Sequence, residues 1–283
     1  MSAKRTLTEI RPVAVLAGLI LLLTSCSTER RLAHEYHTQK SKASIMLILP
    51  DMIYKAGFKV PDSINPDSLN ENERKSVLLN YTDLIKNIDD TLFTEGYGSG
   101  MAYGLRQLGY KVYRDQNIHE FLENGNKQII LNLAQLELEE FYTPIRDESR
   151  FSDEDIYRHE FYITSVNINT WHEVTGLNHN DSVMQVLFKS HTASDRYDAG
   201  FRYFAISGEV KYLFTIDSLT VFDLYEAARN TGYLNAFNFH NYLLNEYISK
   251  NMPQGSIPYR KFEFDRISGK LRLSRSEGFI RLE

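Results

Sequence analysis

Eleven consecutive apolar residues, Val13 to Leu23, follow a basic start of Lys4, Arg5 and Arg11, and the chain's one cysteine stands shortly after them at position 26. A run of that length fits the apolar stretch of a secretory leader and falls short of the roughly 18 residues needed to span a bilayer. A single cysteine forbids an internal disulfide and any cysteine-built zinc cluster. Whatever folds downstream must therefore do so without a covalent cross-link. With 283 residues, 42% of them hydrophobic and 24% charged, the chain can build one large core or two small ones.

The segment Leu23-Thr24-Ser25-Cys26 resembles the lipobox of bacterial lipoproteins. The resemblance implies removal of residues 1–25 as a signal peptide and acylation of Cys26, palmitate included, as a membrane anchor. Each buried CH₂ of such chains contributes about 0.8 kcal/mol. An ordinary signal peptide cleaved nearby, or a core cysteine in a cytoplasmic helix, is the competing reading. Ser27 rather than Asp follows the cysteine, with no acidic run after it. By resemblance to the sorting rules of diderm bacteria this implies the outer membrane and its periplasmic face, and the Asn- and Tyr-rich body resembles Bacteroidetes lipoproteins. Lys plus Arg number 32 against 37 Asp plus Glu, which argues against a nucleic-acid partner. The leader carries three basic residues and one acidic, so the rest is more acidic than the chain's −5. Such a body gains nothing from anionic lipid surfaces, and an anchor at Cys26 would do the holding.

The expected fold class is α+β: a mixed α/β start, then an antiparallel β-meander flanked by helices, then a C-terminal hairpin. Residues 26–41 read as a polar, lipid-anchored tether with room for a short helix, 42–256 as a single domain and 257–283 as a hairpin extension. Ile45–Leu49 is a continuous apolar run, as in a strand covered on both faces. Helical spacing over 70–93 should break at Gly96-Tyr-Gly-Ser-Gly100 and resume over 101–108, with Gly109 as the stop and 110–113 as a strand. From 128 to 141 the apolar alternation slips phase once between Leu133 and Leu136, the mark of a β-bulge; a helix competes. Period-two patterns predict three further strands. One spans 161–174, with Val166 and Ile168 opposite polar neighbours. The second has Met184, Val186 and Phe188 inside. The third spans 204–216 with a bend at Gly208. Stretches 176–181 and 192–200 read as turns. Thr220 and Asp223 fit a capping box that opens a helix ending near Gly232, and a second helix stops before Pro253. Phe262/Phe264 and Leu271/Leu273 flank a hairpin turn.

Candidate chemistry is sparse. Gly96, Gly98, Gly100 and Gly104 miss the dinucleotide-binding spacing and have no Gly-Lys-Ser/Thr after them, so they read as a turn between helices. His159-Glu160 and His172-Glu173 lie 13 apart, an odd spacing that puts the histidines on opposite strand faces. A metal would need further ligands such as His179 or His191, and His34 with His37 form an incomplete pair. Asp147-Glu148 and Asp153-Glu154-Asp155 lack the calcium-loop pattern and read as solvated. His240 reads as a hydrogen-bonded core histidine. No nucleophile elbow or His-Glu-x-x-His motif is present. The expectation is therefore a non-enzyme without cofactor or metal. Tyr97, Tyr103, Tyr110 and Tyr113 around the glycine patch suggest an interface corner.

The helix over 101–108 running into Leu108-Gly-Tyr-Lys-Val112, followed by the strand at 128–141, resembles the auxiliary lipoproteins of ABC-type transporters and the curli-secretion lipoproteins over about residues 45–250. That resemblance implies an assembly or transport accessory with an envelope-protein partner and no catalytic residue. Two alternatives stay open: a lipoprotein with a pocket for a small molecule, lipid or glycan, and an envelope hydrolase with dispersed catalytic residues.

Overall fold

A computed structural model describes residues 28–39, 43–59, 70–124, 127–151, 155–177, 184–274 and 278–282. The leader, Cys26 and His179 lie outside them. The fold is α+β. Its first strand, β1 (Ala43–Ile48), is buried throughout, as its unbroken apolar run requires. Three further elements follow it in the early chain: β2 (Tyr54–Gly57), helix α2 (Glu71–Asn80) and helix α3 (Asp90–Gln107). β3 (Lys111–Tyr113) then returns parallel to β1, completing the expected strand–helix–strand unit. Gly109, at φ 86°, ends α3, and the Tyr110 N–H reaches back to the Leu105 carbonyl, a Schellman closure.

After α4 (Ile118–Glu123), β4 (Lys127–Arg150) inserts parallel to β1 and then runs antiparallel to β5 (Ile156–Gly176). Their register shifts between Leu133 and Gln135, where the phase slip places a bulge. β6 (Gln185–Ser194) continues the sheet, and the last strand, β11 (Ile280–Leu282), closes its edge. The order is β11-β6-β5-β4-β1-β3, with β2 beside the farther part of β4. β9 (Phe262–Asp265) and β10 (Lys270–Leu273) form the expected hairpin.

Several expectations are corrected. The segment 28–39 is not a free tether but a helix, α1, whose Leu32, Ala33 and Tyr36 are buried against Leu244, Ile248 and Phe262. One apolar stripe on an otherwise polar helix was enough to dock it. The C-terminal segment is likewise no appendage, since β11 belongs to the main sheet. In β6 the buried residue is Leu187, whereas Met184 is 57% exposed, so the inward face is one residue out of the expected phase. Val186 and Phe188 face the other side, where Phe188 packs on Trp171.

The glycines do not break a helix. Gly96, Gly98, Gly100 and Gly104 all lie within α3, and Gly232 lies within a single 31-residue helix, α5 (Val221–Asn251), that opens with the expected Thr220/Asp223 capping box. Gly96, Gly100 and Gly104 are spaced by four, as are Ala228, Gly232 and Ala236, so each set forms one stripe of small residues. The stripes face each other. A Cβ on Gly100 would land on the Arg229 carbonyl oxygen, and one on Gly232 would land on that of Tyr97. The two helix backbones touch, and together they cover one face of the sheet above Leu131, Leu136, Val166 and Ile168.

A buried ion pair fixes the other flank. Glu140, fully buried, accepts N–H bonds from Asp83, Leu84 and Ile85 and lies 2.7 Å from the Lys59 ammonium. Burial acts to lower the Lys59 pKa, but the Asp83 carboxylate at 2.6 Å and Glu140 outweigh it and hold it above its ordinary value.

Replacing Gly232 by Ala forces the helices apart, and we expect a loss of about 1–3 kcal/mol or more, as for other overpacked cores. Ala236→Gly, on the same stripe, removes only a methyl and should cost about 1 kcal/mol. Chemical denaturation of the two variants checks the order.

Candidate functional site

At Asp195 the chain leaves the main sheet. Its backbone N–H bonds the Thr164 carbonyl, and its carboxylate takes the Thr164 N–H at 2.6 Å and the Leu219 N–H at 2.7 Å. One side chain thus pins the end of β6, the edge of β5 and the approach to α5. Between those pins the chain makes an excursion: β7 (Arg196–Phe204), a turn at Gly208 with φ 69°, and β8 (Glu209–Asp217). The expected single strand over 204–216 is therefore a hairpin, and part of the stretch read as a turn is β7. Gly200 suggested a turn, but Tyr197, Ala199, Phe201 and Tyr203 alternate as a strand does.

The hairpin lies across the far ends of β4 and β5, on the sheet face opposite the helices. His159 stacks on Tyr212 with centroids 4.0 Å apart, Phe161 on Phe214 at 5.3 Å, and Phe161 meets Tyr197 at 5.4 Å. Beyond Ser165 and Glu140, β4 and β5 pair with no other strand among the described residues. Two ribbons stacked face to face therefore form an arm that projects past the body.

Its surface is unusually apolar. Tyr203, Phe204, Leu213, Phe214 and Ile216 are each more than one-third exposed, and Ile206 at the turn is fully exposed. Exposed apolar residues concentrated on one hairpin, here on both of its faces, mark a contact surface. Their strands also have unpaired edges, which expose backbone donors and acceptors to an added strand.

The arm points away from the chain's beginning. Along α5, Leu219 lies beside Asp195 at one end, Asn235 bonds Thr170 midway, and Lys250 and Asn251 line a cavity with Val174 and Gly176 at the other. α5 therefore follows β5 for about 46 Å at 1.5 Å per residue. α1 runs antiparallel to it: Tyr36 meets His240, whereas Glu29 accepts the Tyr259 N–H beyond the α5 C-terminus. Residue 28 and the arm are at opposite poles.

The histidines divide. His172 and His191 are linked inside the body. Asn235 donates to the Tyr97 hydroxyl at 3.0 Å, Tyr97 donates to His172 Nε2 at 2.7 Å, and His191 Nε2 lies 3.0 Å from Asn235 Oδ1. Burial drives the His172 pKa down to about 3, so its ring is neutral and free to accept from Tyr97. His159 is on the opposite strand face, as the odd spacing requires, and serves the arm. His240 is buried and bonds the Tyr110 hydroxyl at 2.7 Å, as expected of a core histidine; Tyr110 in turn meets Tyr36 at 2.8 Å. His37 stacks on Phe264, and His34 is exposed. Among the described residues no three His, Cys, Asp or Glu side chains assemble as a metal-binding group.

The expected tyrosine corner is corrected as well. Tyr97 and Tyr110 are buried in these networks and Tyr113 packs on Phe121. Only Tyr103 is exposed, in an open groove of about 1080 Å³ with Leu92, Phe222, Tyr225 and Tyr233. Of the acidic cluster, Glu148 pairs with Arg158 on the arm, while Asp153 and Glu154 lie outside the described residues.

Two outcomes follow. Because the unfolded chain binds a proton at His172 near its ordinary 6.5 and the folded one only near 3, stability is full above about pH 6.5 and falls through that window, by about 1.4 kcal/mol per pH unit at its steepest. Thermal unfolding of His172→Gln against pH should show a shallower slope. Asp195→Ala removes two charge-assisted bonds worth roughly 1.5–3 kcal/mol each, so amide exchange should accelerate across 196–217 and not in α3. No protein-family model matches this sequence, nor does any curated protein, so its function is argued from this geometry.

Proposed function

We propose that the protein is a lipid-anchored, periplasm-facing envelope accessory that works through protein–protein contacts, with the arm as its contact surface. The observation that carries this reading is the placement of an exposed aromatic arm at the pole opposite the chain's beginning. An acyl anchor at Cys26, two residues ahead of α1, would hold the body against the outer membrane with little free tether between. The arm would then extend away from the lipid, toward proteins in the periplasm. Buried polar side chains in the body are committed to structure: Tyr97, His172, Asn235 and Glu140 bond one another or the backbone. A second reading, a lipoprotein that takes up an apolar ligand, rests on the open groove between α3 and α5.

Ile206 and Leu213 make no contact that the fold depends on, so Ile206→Ser with Leu213→Ser should leave the unfolding temperature within a degree or two. Photo-crosslinking from position 206 in intact cells should capture envelope proteins, and Leu213→Ser on the same hairpin, with the probe kept at 206, should sharply reduce capture. Unchanged capture overturns the arm as the contact surface. Cys26→Ala should release the chain from membranes; a variant that stays membrane-bound overturns the anchor.

A further inference from the structure

Four strands of the arm present free edges, and β7 carries an acid and a base placed symmetrically about a glycine. On β4 and β5, Arg146 pairs with Glu160 at 2.9 Å and Arg158 with Glu148 at 2.7 Å. On β8, Lys211 pairs with Glu209 at 2.9 Å. On β7, Asp198 and Arg202 are exposed and have no ionic partner among the described residues. Across the hairpin Arg202 stands opposite Lys211, a like charge, and Asp198 stands opposite Thr215. The hairpin alone gives neither side chain an ionic partner.

Asp198 and Arg202 lie at equal distances on either side of Gly200. An antiparallel copy of β7 centred on Gly200 therefore sets Asp198 against Arg202 of the other chain, twice. The same register sets Tyr197 against Tyr203 as an aromatic pair and small Ala199 against large Phe201, along the row that already packs on β5. Gly200 has nothing within 4 Å of where a Cβ would stand, which leaves the two-fold position open for close approach. Centring one residue earlier would oppose Arg196 to Arg202, a like-charge pair, so the pattern selects its register.

From this we infer that a second copy of the chain adds to the β7 edge, joining two hairpins into a four-stranded antiparallel sheet across a two-fold axis at Gly200. The inference rests on the reading of the arm as a contact surface and names one partner for it. Paired edges also account for a strand as apolar as β7 avoiding open-ended aggregation, since a two-fold contact closes on itself.

The test uses the full chain in membranes, with cysteines introduced singly. Gly200→Cys should give a disulfide-linked dimer on mild oxidation, because residues opposite each other across a strand pair have Cα atoms within disulfide range. Asp198→Cys alone should not, since its two copies would lie roughly 13 Å apart at 3.4 Å per residue. Asp198→Cys coexpressed with Arg202→Cys should give the mixed dimer. Asp198→Arg should weaken association roughly tenfold or more, and Asp198→Arg with Arg202→Asp should restore it. No dimer from Gly200→Cys, or a dimer indifferent to the charge exchange, overturns the inference. If position 206 still captures a different envelope protein in that case, the arm remains a contact surface for another partner; if it captures nothing, both readings fall.

Discussion

Backbone-to-backbone contact between α3 and α5 is the constraint on which the rest of the molecule depends. Small residues repeated every fourth position let the two helices close to the point where carbonyl oxygens fill the space a methyl would occupy. That closeness brings Tyr97 on α3 and Asn235 on α5 within hydrogen-bond reach, and lets both meet His172 and Thr170 on the sheet below. A stripe of small residues is smooth and would tolerate sliding by a turn. The buried polar network is not smooth. Each of its bonds is satisfied in one register only, and a slip would strand a neutral histidine and a tyrosine hydroxyl in a dry interior, at a cost of about 1–3 kcal/mol per group. Steric closeness supplies the attraction and the polar network supplies the register.

The arm is held by different means. Its layers meet through aromatic stacking, and at its root the Asp195 carboxylate is joined by the buried Lys59, which bonds Thr164 Oγ1 at 3.3 Å and lies 4.4 Å from the Tyr142 ring centroid. Asp195 ties three segments that are distant in sequence, and β4 and β5 run unbroken from the body into the arm, while its surface is spread over apolar residues. A rigid root and an adaptable surface suit a limb whose contacts are made outside the protein.

Much of this was legible in the sequence where period and chemistry agreed. The α+β class, the buried run of β1, the bulge in β4, the capping box at Thr220 and the C-terminal hairpin all follow from local patterns. Failures came where one residue type carries two meanings. Glycine was read as a stop within 96–100 and at 200 and 232, yet none of these glycines has a positive φ. What identifies Gly96, Gly100 and Gly104 on α3 is a four-residue spacing matched by Ala228, Gly232 and Ala236 on α5, a signal visible only when two helices are compared. In 28–39, Leu32, Ala33 and Tyr36 were outvoted by the surrounding charges, although three apolar residues on one face suffice when a matching surface exists. The β6 phase failed because Val186-Leu187-Phe188 is apolar on both faces, and alternation cannot choose between them. The arm's exposure was not readable at all. Its strands have the composition of core strands, and only topology shows that nothing covers them.

That same topology sets a length scale. α5 spans about 46 Å from the pole where the described chain begins to the root at Asp195, and β5 continues past the root for nine residues, Ile156 to Thr164, adding about 30 Å at 3.4 Å per residue. Because α5 follows β5, the two lengths add rather than fold back, and the fully exposed Ile206 turn belongs to the distal part. A chain anchored just ahead of α1 would present its apolar residues on the order of 70 Å from the lipid, where they cannot be satisfied by acyl chains. On the proposed anchoring, an apolar surface held that far from the membrane would have protein as its nonaqueous partner. The polarity of the fold, more than any single residue, is what argues for docking.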